Sequence, residues 1–396
     1  MKSILFHIGS FNTGGAEKSL VTLLNTIPKD LYQVDVMVAR KDGVLVSDVP
    51  ECINIIETPI PYKCLSISPK KISFYNKLNF KLWWLKITGY VYAKFHKKFS
   101  VNQSIWKYWA KHIPVFDKHY DIAISYIEGI ANYYIIDKII SNRKILWIHS
   151  EYDKLHYNID FDREYFSKAD AVVTISSLCR DNLVRIFPDL IDKFHVLENI
   201  SNSRMIINQS LEKISDERKY FLSNDCNLLS VGRLVPPKNF RLAIITAKKL
   251  KDLNFKFSWT IIGEGPLRKE LETLISNFGL NDCVHLIGLR KNPYPYMTRA
   301  DIIVMTSIYE GKSIVIDEAK ILCKAIVSVN YPTVRDNIVD QETGIITEMT
   351  PENLANGIIK LYQDKNLRCH LISNLSSMEI DNTGVIKDYL KLFDGE

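Results

Sequence analysis

The stretch that most limits what this chain can fold into is Asp301–Val329, DIIVMTSIYEGKSIVIDEAKILCKAIVSV. Asp301–Ser307 is a short apolar run rich in Ile and Val, the pattern of a strand buried on both faces of a parallel sheet. Tyr309–Ser313 is a turn holding a carboxylate, a glycine and a hydroxyl. Ile314–Cys323 reads as a helix, and Ala325–Val329 as a second strand. Parallel strands need a crossover between them, so this strand–loop–helix–strand unit belongs to an open α/β sheet. In such sheets ligands collect where the loop leaves the carboxyl end of a strand.

The same alternation runs through most of the chain. Ser3–Ile8, Tyr32–Ala39, Ile53–Ile56, Asp121–Tyr126, Lys144–His149, Asp170–Ile175 and Phe194–Glu198 read as strands of a first half, with helices over Ser19–Ile27, Gly129–Ser141 and Leu178–Phe187. Cys226–Gly232, Phe257–Gly263 and Cys283–Gly288 restart the pattern in a second half. A chain of 396 residues exceeds one ordinary core. The polar, weakly periodic Ile200–Asp225 places a hinge at its start, giving domains over 1–199 and 200–380. A final helix, Val385–Phe393, lies in a terminal segment, 381–396.

Seven cysteines are scattered, odd in number and without a C-x-x-C pair. That argues for a reducing compartment and against a structural zinc site. The start of the chain lacks the shape of a signal peptide, and no run approaches the ~18 apolar residues of a membrane span. The expectation is a cytoplasmic protein that is not integral to a membrane.

Four places carry candidate chemistry. Glu310 and Glu318 frame the loop and helix of the opening stretch. If both were helical, a rise of about 1.5 Å per residue would set them on the order of 12 Å apart. That exceeds the roughly 5 to 9.5 Å of a glycosidase pair and suits two grips on one long ligand. The N–H groups of the helix start, around Ser313, Ile314 and Val315, favour an anion between them. Two solvated acids on a surface helix would read equally well from spacing alone. Gly14 and Gly15 end a glycine turn between a strand and a helix, where backbone can approach phosphate, although most such turns are only turns. Arg233 and Lys238 flank a proline-stiffened loop at a strand's carboxyl end, either a diphosphate clamp or two solvated cations. His149 ends an apolar strand, pointing to a crevice or filling a structural place.

Several of these motifs together resemble glycosyltransferase family 4, retaining enzymes of the GT-B fold. EGKSIVIDEA is similar to the family's E-x7-E motif, VGRLVPPKNF to its G-R-L-x-x-x-K-G pattern, and GGAE to its first strand–helix turn. WIHSE is similar to the family position where a histidine faces the reacting sugar, and IIGEGP to its G-x-G-P loop. The resemblance implies an α/β GT-B fold: two Rossmann-like domains with parallel sheets facing across a cleft, the last helix crossing back to the N-terminal domain. It implies that Glu310 contacts the donor sugar and Glu318 holds the ribose. Arg233 and Lys238 would bind the donor diphosphate, with Gly14, Gly15, Ser313 and Ile314 beside it. Gly265 and Leu289 would lie near the base, and His149 against the sugar. Lys312 departs from the family's usual large apolar residue, and Asn239 from its glycine.

Lys63–Lys118 stands outside the resemblance. It carries twelve lysines against one acid, Asp117, interleaved with aromatics, whereas the whole chain is only +6. Amphipathic helices of this kind can lie on an anionic membrane surface. A helical insertion with a solvated basic face, or a single-strand RNA site, would show the same composition.

Together these features point to a retaining glycosyltransferase. It would move a sugar from a nucleotide-diphosphate sugar, UDP favoured, to a hydroxyl of a glycan or lipid-linked glycan in capsule, lipopolysaccharide or teichoic-type assembly. Asp160-Phe161-Asp162 has D-x-D spacing but lies off any expected strand exit, so no metal or other cofactor is expected. The partners expected are the donor, the acceptor and an anionic membrane surface, with no nucleic acid. The rivals are a nucleotide-sugar epimerase of the same fold and a non-catalytic membrane- or RNA-binding scaffold.

Overall fold

The computed structural model describes residues 1–12, 14–66, 77–95, 99–215, 217–221, 226–378 and 380–396. Lys70, Lys71, Phe74, Tyr75, Lys97 and Lys98 of the basic segment lie outside the described residues. The chain forms two units, Met1–Asn199 with Val385–Glu396, and Ile200–Gly384.

The first unit is built on seven parallel strands: β1 (Lys2–Ile8), β2 (Tyr32–Val38), β3 (Asn54–Glu57), β4 (Phe116–Ser125), β5 (Ile139–Ile148), β6 (Ala171–Thr174) and β7 (Phe194–Val196). Their order is β3-β2-β1-β4-β5-β6-β7. Helices cover both faces, so Ile4, Leu5 and Phe6 are fully buried on successive sides of one strand. The order reverses between β1 and β4, and in open α/β sheets ligands collect at the carboxyl edge of such a switch point.

The second unit repeats the plan with six strands: β8 (Cys226–Val231), β9 (Phe257–Ile262), β10 (Val284–Gly288), β11 (Ile302–Met305), β12 (Ala325–Val329) and β13 (Ile345–Thr347). Their order is β10-β9-β8-β11-β12-β13, again all parallel. Here the order reverses between β8 and β11. The loop carrying Arg233 and Lys238 therefore leaves its strand beside the loop carrying Glu310. Two parallel-sheet Rossmann-like domains are the α/β architecture read from the sequence.

The last helix, Ile386–Asp394, packs on the first unit. Tyr389 and Phe393 are buried, and the Tyr389 ring stacks on Trp147 with centroids 5.7 Å apart. Asp394 accepts from Lys2 Nζ and Tyr32 OH, both at 2.9 Å, and Arg143 Nε donates to the Leu392 carbonyl at 3.1 Å.

Some boundaries differ from the sequence reading. The helix expected over Gly129–Ser141 is Ile130–Lys138, because β-branched Ile139 and Ile140 enter β5 and pair with β4. β4 begins at Phe116, so Lys118 stands on a strand, where its Nζ meets Asp35 at 2.6 Å. Asp160–Asp162 belongs to a helix, Ile159–Lys168, rather than a polar connection. Asp162 is buried and accepts from Gln103, Tyr133 and Tyr152, so it holds the interior together. Helices Ser203–Ser210 and Lys365–Ser377 were not foreseen, although Asn202 and Asp364 cap them by side-chain hydrogen bonds.

The lysine-aromatic segment divides in two. Trp106 and Trp109 are completely buried, their indole N–H groups donating to Asp137 Oδ2 at 2.9 Å and to the Pro61 carbonyl at 2.8 Å. Lys86 is buried too, its Nζ donating to the carbonyls of Cys64 and Leu65 at the end of helix Ile60–Ser66. By contrast Trp84, Val91 and Phe95 of helix Lys77–Phe95 are 57%, 48% and 78% exposed. Their spacing of seven and four residues sets them along one helical face. Among the described residues no helix is long and apolar enough to cross a membrane.

Candidate active site

In the second unit the site begins with how two loops are fixed. After β8 the chain runs through Gly232–Lys238, and after β9 through Gly263–Pro266. Leu234 N–H donates to the Glu264 carbonyl at 3.0 Å, and Leu267 N–H to the Leu234 carbonyl at 3.1 Å. These bonds draw the backbones so close that a Cβ on Gly265 would stand 2.4 Å from the Leu234 oxygen. Gly263, at φ +153°, meets the Gly232 carbonyl in the same way. Gly265 is thus a wall behind the Arg233 loop. At the far end of the loop Asn239 adopts φ 50° and ψ 42°, the left-handed conformation expected of the residue standing in for glycine.

The loop is also tied to β11. Thr306 Oγ1 donates to the Lys238 carbonyl and Ile308 N–H to the Pro237 carbonyl, both at 2.8 Å. Lys238 Nζ forms an ion pair with Glu310 Oε1, which also accepts from Ser307 Oγ at 2.6 Å. The pair is largely sheltered, with side chains 23% and 13% exposed. Thr333 Oγ1 donates to the Glu310 carbonyl at 2.7 Å. Arg233, on the same loop, is exposed. It makes no side-chain hydrogen bond or ion pair among the described residues.

Helix Ile314–Ile321 follows Glu310 directly. Glu310 itself stands in the preceding loop, so the distance estimated for two helical acids does not apply. Ser313 N–H is taken by Asn337 Oδ1 at 3.2 Å, leaving Ile314 and Val315 as the first-turn donors without intrahelical acceptors. The Ser313 hydroxyl, the Asn337 amide nitrogen and the Tyr331 hydroxyl are buried without a hydrogen-bond partner among the described residues. Burial raises the Tyr331 pKa, so it stays a neutral phenol. Glu318, 2% exposed, receives Tyr294 OH at 2.9 Å. Leu289 follows Gly288, whose φ of +77° turns the chain out of β10. Sequence reading missed Ser307, Tyr294, Thr333 and Asn337; the last three are unremarkable polar residues whose place only the fold reveals, whereas Ser307 stands three residues before Glu310.

In the first unit Gly14 and Gly15 open helix Gly15–Thr26. Ser19 on that helix hydrogen-bonds Tyr126 OH at 2.9 Å and Asn199 Oδ1 at 2.7 Å. Tyr126 follows β4, and its carbonyl lies 3.0 Å from His149 Nε2. A carbonyl only accepts, so Nε2 carries the proton and Nδ1 of the neutral ring is an acceptor. Burial lowers the His149 pKa, while the Glu128 carboxylate and the Tyr126 carbonyl oppose the fall. Glu128 also accepts from His149 N–H at 3.0 Å and from Ser150 Oγ at 2.6 Å. Glu128 was not singled out from sequence; its signal is an acid just past the carboxyl end of a central strand.

The C-terminal half now has the parts of a polar-anion site at a sheet's switch point: a free guanidinium, an ammonium on a carboxylate, and a helix start. Comparison with known proteins agrees. Residues 213–378 match the family model described as glycosyl transferases group 1. Over those residues, most of the second unit, the chain is similar to that family.

This glycosyltransferase is 26% identical, over 372 residues, to the N-acetylgalactosamine-N,N'-diacetylbacillosaminyl-diphospho-undecaprenol 4-alpha-N-acetylgalactosaminyltransferase of Campylobacter jejuni, covering 93% of this chain and 92% of that one. A second Campylobacter jejuni enzyme, an alpha-1,4-N-acetyl-D-galactosaminyltransferase named for a diphospho-undecaprenol glycan, is 24% identical and covered at 98% by 99% of this chain. Among solved structures, Anabaena HepE in complex with UDP-glucose aligns over all of both chains, with a TM-score of 0.71 and 16% identity. That last likeness concerns the fold.

Proposed function

We propose that this glycosyltransferase moves a sugar, with retention at the anomeric carbon, from a UDP-sugar to a hydroxyl of a lipid-linked glycan in cell-surface polysaccharide assembly. The observation that carries the reading is the Lys238–Glu310 pair beside the exposed Arg233 at the β8/β11 switch point. A cation shared between a diphosphate and a sugar-binding acid suits a donor that carries both groups. The acceptor class rests on the Campylobacter relatives, whose names specify diphospho-undecaprenol glycans. The base rests on the UDP complexes among the structural neighbours.

In this reading Arg233 grips the diphosphate by its planar fork and Lys238 by its point charge. The N–H group of Ile314 complements them, and Ser313 contributes its hydroxyl in place of its N–H; within the first unit, Gly14 and Gly15 are the backbone groups suited to phosphate. Glu310 orients the sugar through its hydroxyls, Glu318 holds the ribose, and Gly265 and Leu289 border the base. His149 contacts the sugar, accepting from a hydroxyl through Nδ1. The bond between the anomeric carbon and the diphosphate oxygen breaks as the acceptor oxygen attacks from the same face, and the acceptor's proton passes to the departing diphosphate. Charge building on the leaving group is met by the protein's own donors, so no metal enters the scheme. The exposed Trp84–Val91–Phe95 face seats the enzyme peripherally on an anionic membrane, on its cytoplasmic side.

The test is a thermal-shift and calorimetric screen of UDP-, GDP- and ADP-sugars, with Arg233→Ala and Lys238→Ala alongside and EDTA present. UDP-sugar binding that weakens at least tenfold in both variants and survives EDTA supports the clamp. Wild-type affinity in both would refute it. Product analysis by NMR distinguishes transfer with retention from epimerisation of the donor alone.

A further inference from the structure

We propose that Glu128 is a positioning residue for the transfer, clamping the His149–Ser150 peptide so that the histidine is held ready for the donor sugar. The inference rests on the proposed role of His149. It begins with local geometry. β4 ends at Ser125 and β5 at Ile148, and the two strands are neighbours in register, Ser125 opposite Leu146. Their exit loops therefore run side by side. The N–H groups just beyond a strand's end still need acceptors, from a neighbouring strand or from a side chain, and for His149 the acceptor is a side chain.

Glu128 supplies it. One carboxylate oxygen accepts His149 N–H at 3.0 Å and the other accepts Ser150 Oγ at 2.6 Å. The imidazole is held separately, by the Tyr126 carbonyl at 3.0 Å, and the Tyr126 ring lies against it with centroids 5.1 Å apart. The next residue, Gly129, takes φ +86°, a conformation that turns the chain sharply after Glu128. Backbone and ring of His149 are thus fixed by one short segment, Tyr126–Gly129. Hydrogen bonds to a carboxylate are charge-assisted and about twice as strong as neutral ones, so a two-point grip stiffens this loop more than a turn of neutral residues would. A misplacement of roughly 1 Å in such a group costs on the order of a hundredfold in rate.

Glu128→Ala removes both acceptors, whereas Glu128→Gln retains the carbonyl for His149 N–H and offers its amide to Ser150. The measurements are kcat, donor KM, UDP affinity and hydrogen exchange at the His149 amide, with His149→Ala measured in parallel. The expected result for Glu128→Ala is a ten- to hundredfold loss of kcat, unchanged UDP affinity, and loss of His149 amide protection. Glu128→Gln should recover kcat to within a few fold. Full kcat in Glu128→Ala while His149→Ala is impaired overturns the role of Glu128. Full kcat in both variants overturns the reading of His149 instead. Should Glu128→Ala not fold, Ser150→Ala removes one arm of the grip: a several-fold loss of kcat with unchanged UDP affinity is expected, and wild-type kcat there would overturn the proposal.

Discussion

Replacing Gly265 with alanine tests whether the loop after β9 really sets the position of the Arg233 loop. The added Cβ would lie 2.4 Å from the Leu234 oxygen, 2.7 Å from its carbonyl carbon and 2.8 Å from its nitrogen, and Cβ contacts below 3.0 Å essentially never occur. All three atoms are backbone, so no side chain can swing aside. Relieving the worst contact moves Leu234 by about 0.6 Å at least, and ordinary contact needs about 1 Å. The motion pulls against the Leu234–Glu264 and Leu267–Leu234 backbone bonds. Two strained hydrogen bonds at about 1 kcal/mol each, added to an overpacking cost of roughly 1–3 kcal/mol, predict a loss of about 3–5 kcal/mol. For a unit of this size that corresponds to a Tm lower by roughly 6–20 °C. Arg233 adjoins Leu234, so UDP-sugar affinity should also fall, by about tenfold. The assay is differential scanning fluorimetry with isothermal titration of UDP-sugar on the same preparation. A variant with wild-type Tm and wild-type affinity would show that the loop has room, and the wall argument would be wrong.

Other expectations follow from single contacts. Tyr294→Phe removes only the hydroxyl that donates to buried Glu318, so calorimetry should find UDP bound about tenfold more weakly with Tm lower by only a few degrees; undiminished affinity would detach Glu318 from the ribose. Trp84→Ala with Phe95→Ala should abolish sedimentation with phosphatidylglycerol vesicles at low salt while leaving Tm intact, whereas Trp106→Ala, emptying a fully buried site, should cost about 3–5 kcal/mol in urea titrations. Burial opposes ionisation of Asp381, yet donors from Ser203 and Thr383 bring its pKa down to about 2. A depressed carboxylate stabilises the fold above its ordinary pKa and loses that contribution as pH falls toward 2. Asp381→Asn should therefore cost about 1–2 kcal/mol at pH 7, after allowance for solvent screening, and the gap from wild type should narrow between pH 5 and pH 3; a gap constant with pH would exclude the carboxylate's charge as the cause.

How much of this was legible in the chain depends on the length scale of the cause. Strand cores such as Ala325–Val329 were readable to the residue, because a buried parallel strand must be apolar throughout and its ends are marked by turns. Asn239 was readable as a left-handed residue, since one backbone conformation has few tolerant side chains. Arg233, Lys238, Glu310 and Glu318 could be named because two of them close a loop and two frame a helix, which are local patterns. What could not be read was set by strand order. Thr333 gains importance only because the chain folds β12 beside β11, and no short window of sequence contains that adjacency; Ser307 lies three residues before Glu310, a local contact that the sequence reading passed over. The lysine-aromatic segment was only partly legible for a related reason. Composition treats Trp84 and Trp106 alike, yet one is mostly exposed and the other fully buried. Their difference is fixed by which face of each helix packs inward, Trp106 lying against Tyr133 and Tyr134 of helix Ile130–Lys138, so the segment is both a core element and an exposed face.

The second unit also shows why a paired site need not be a silent one. A sheltered lysine and glutamate cancel each other's charge, which normally argues for a structural role. Here the pair sits on loops, beside an exposed guanidinium with no partner among the described residues, and next to three buried polar atoms that lack one. Unsatisfied buried polar atoms also occur outside this loop cluster, at Trp147 and Thr246 for example, so they do not by themselves mark a ligand site. In the proposed reading a donor's anionic and hydroxyl groups complete the arrangement, the lysine keeping its carboxylate and adding a phosphate.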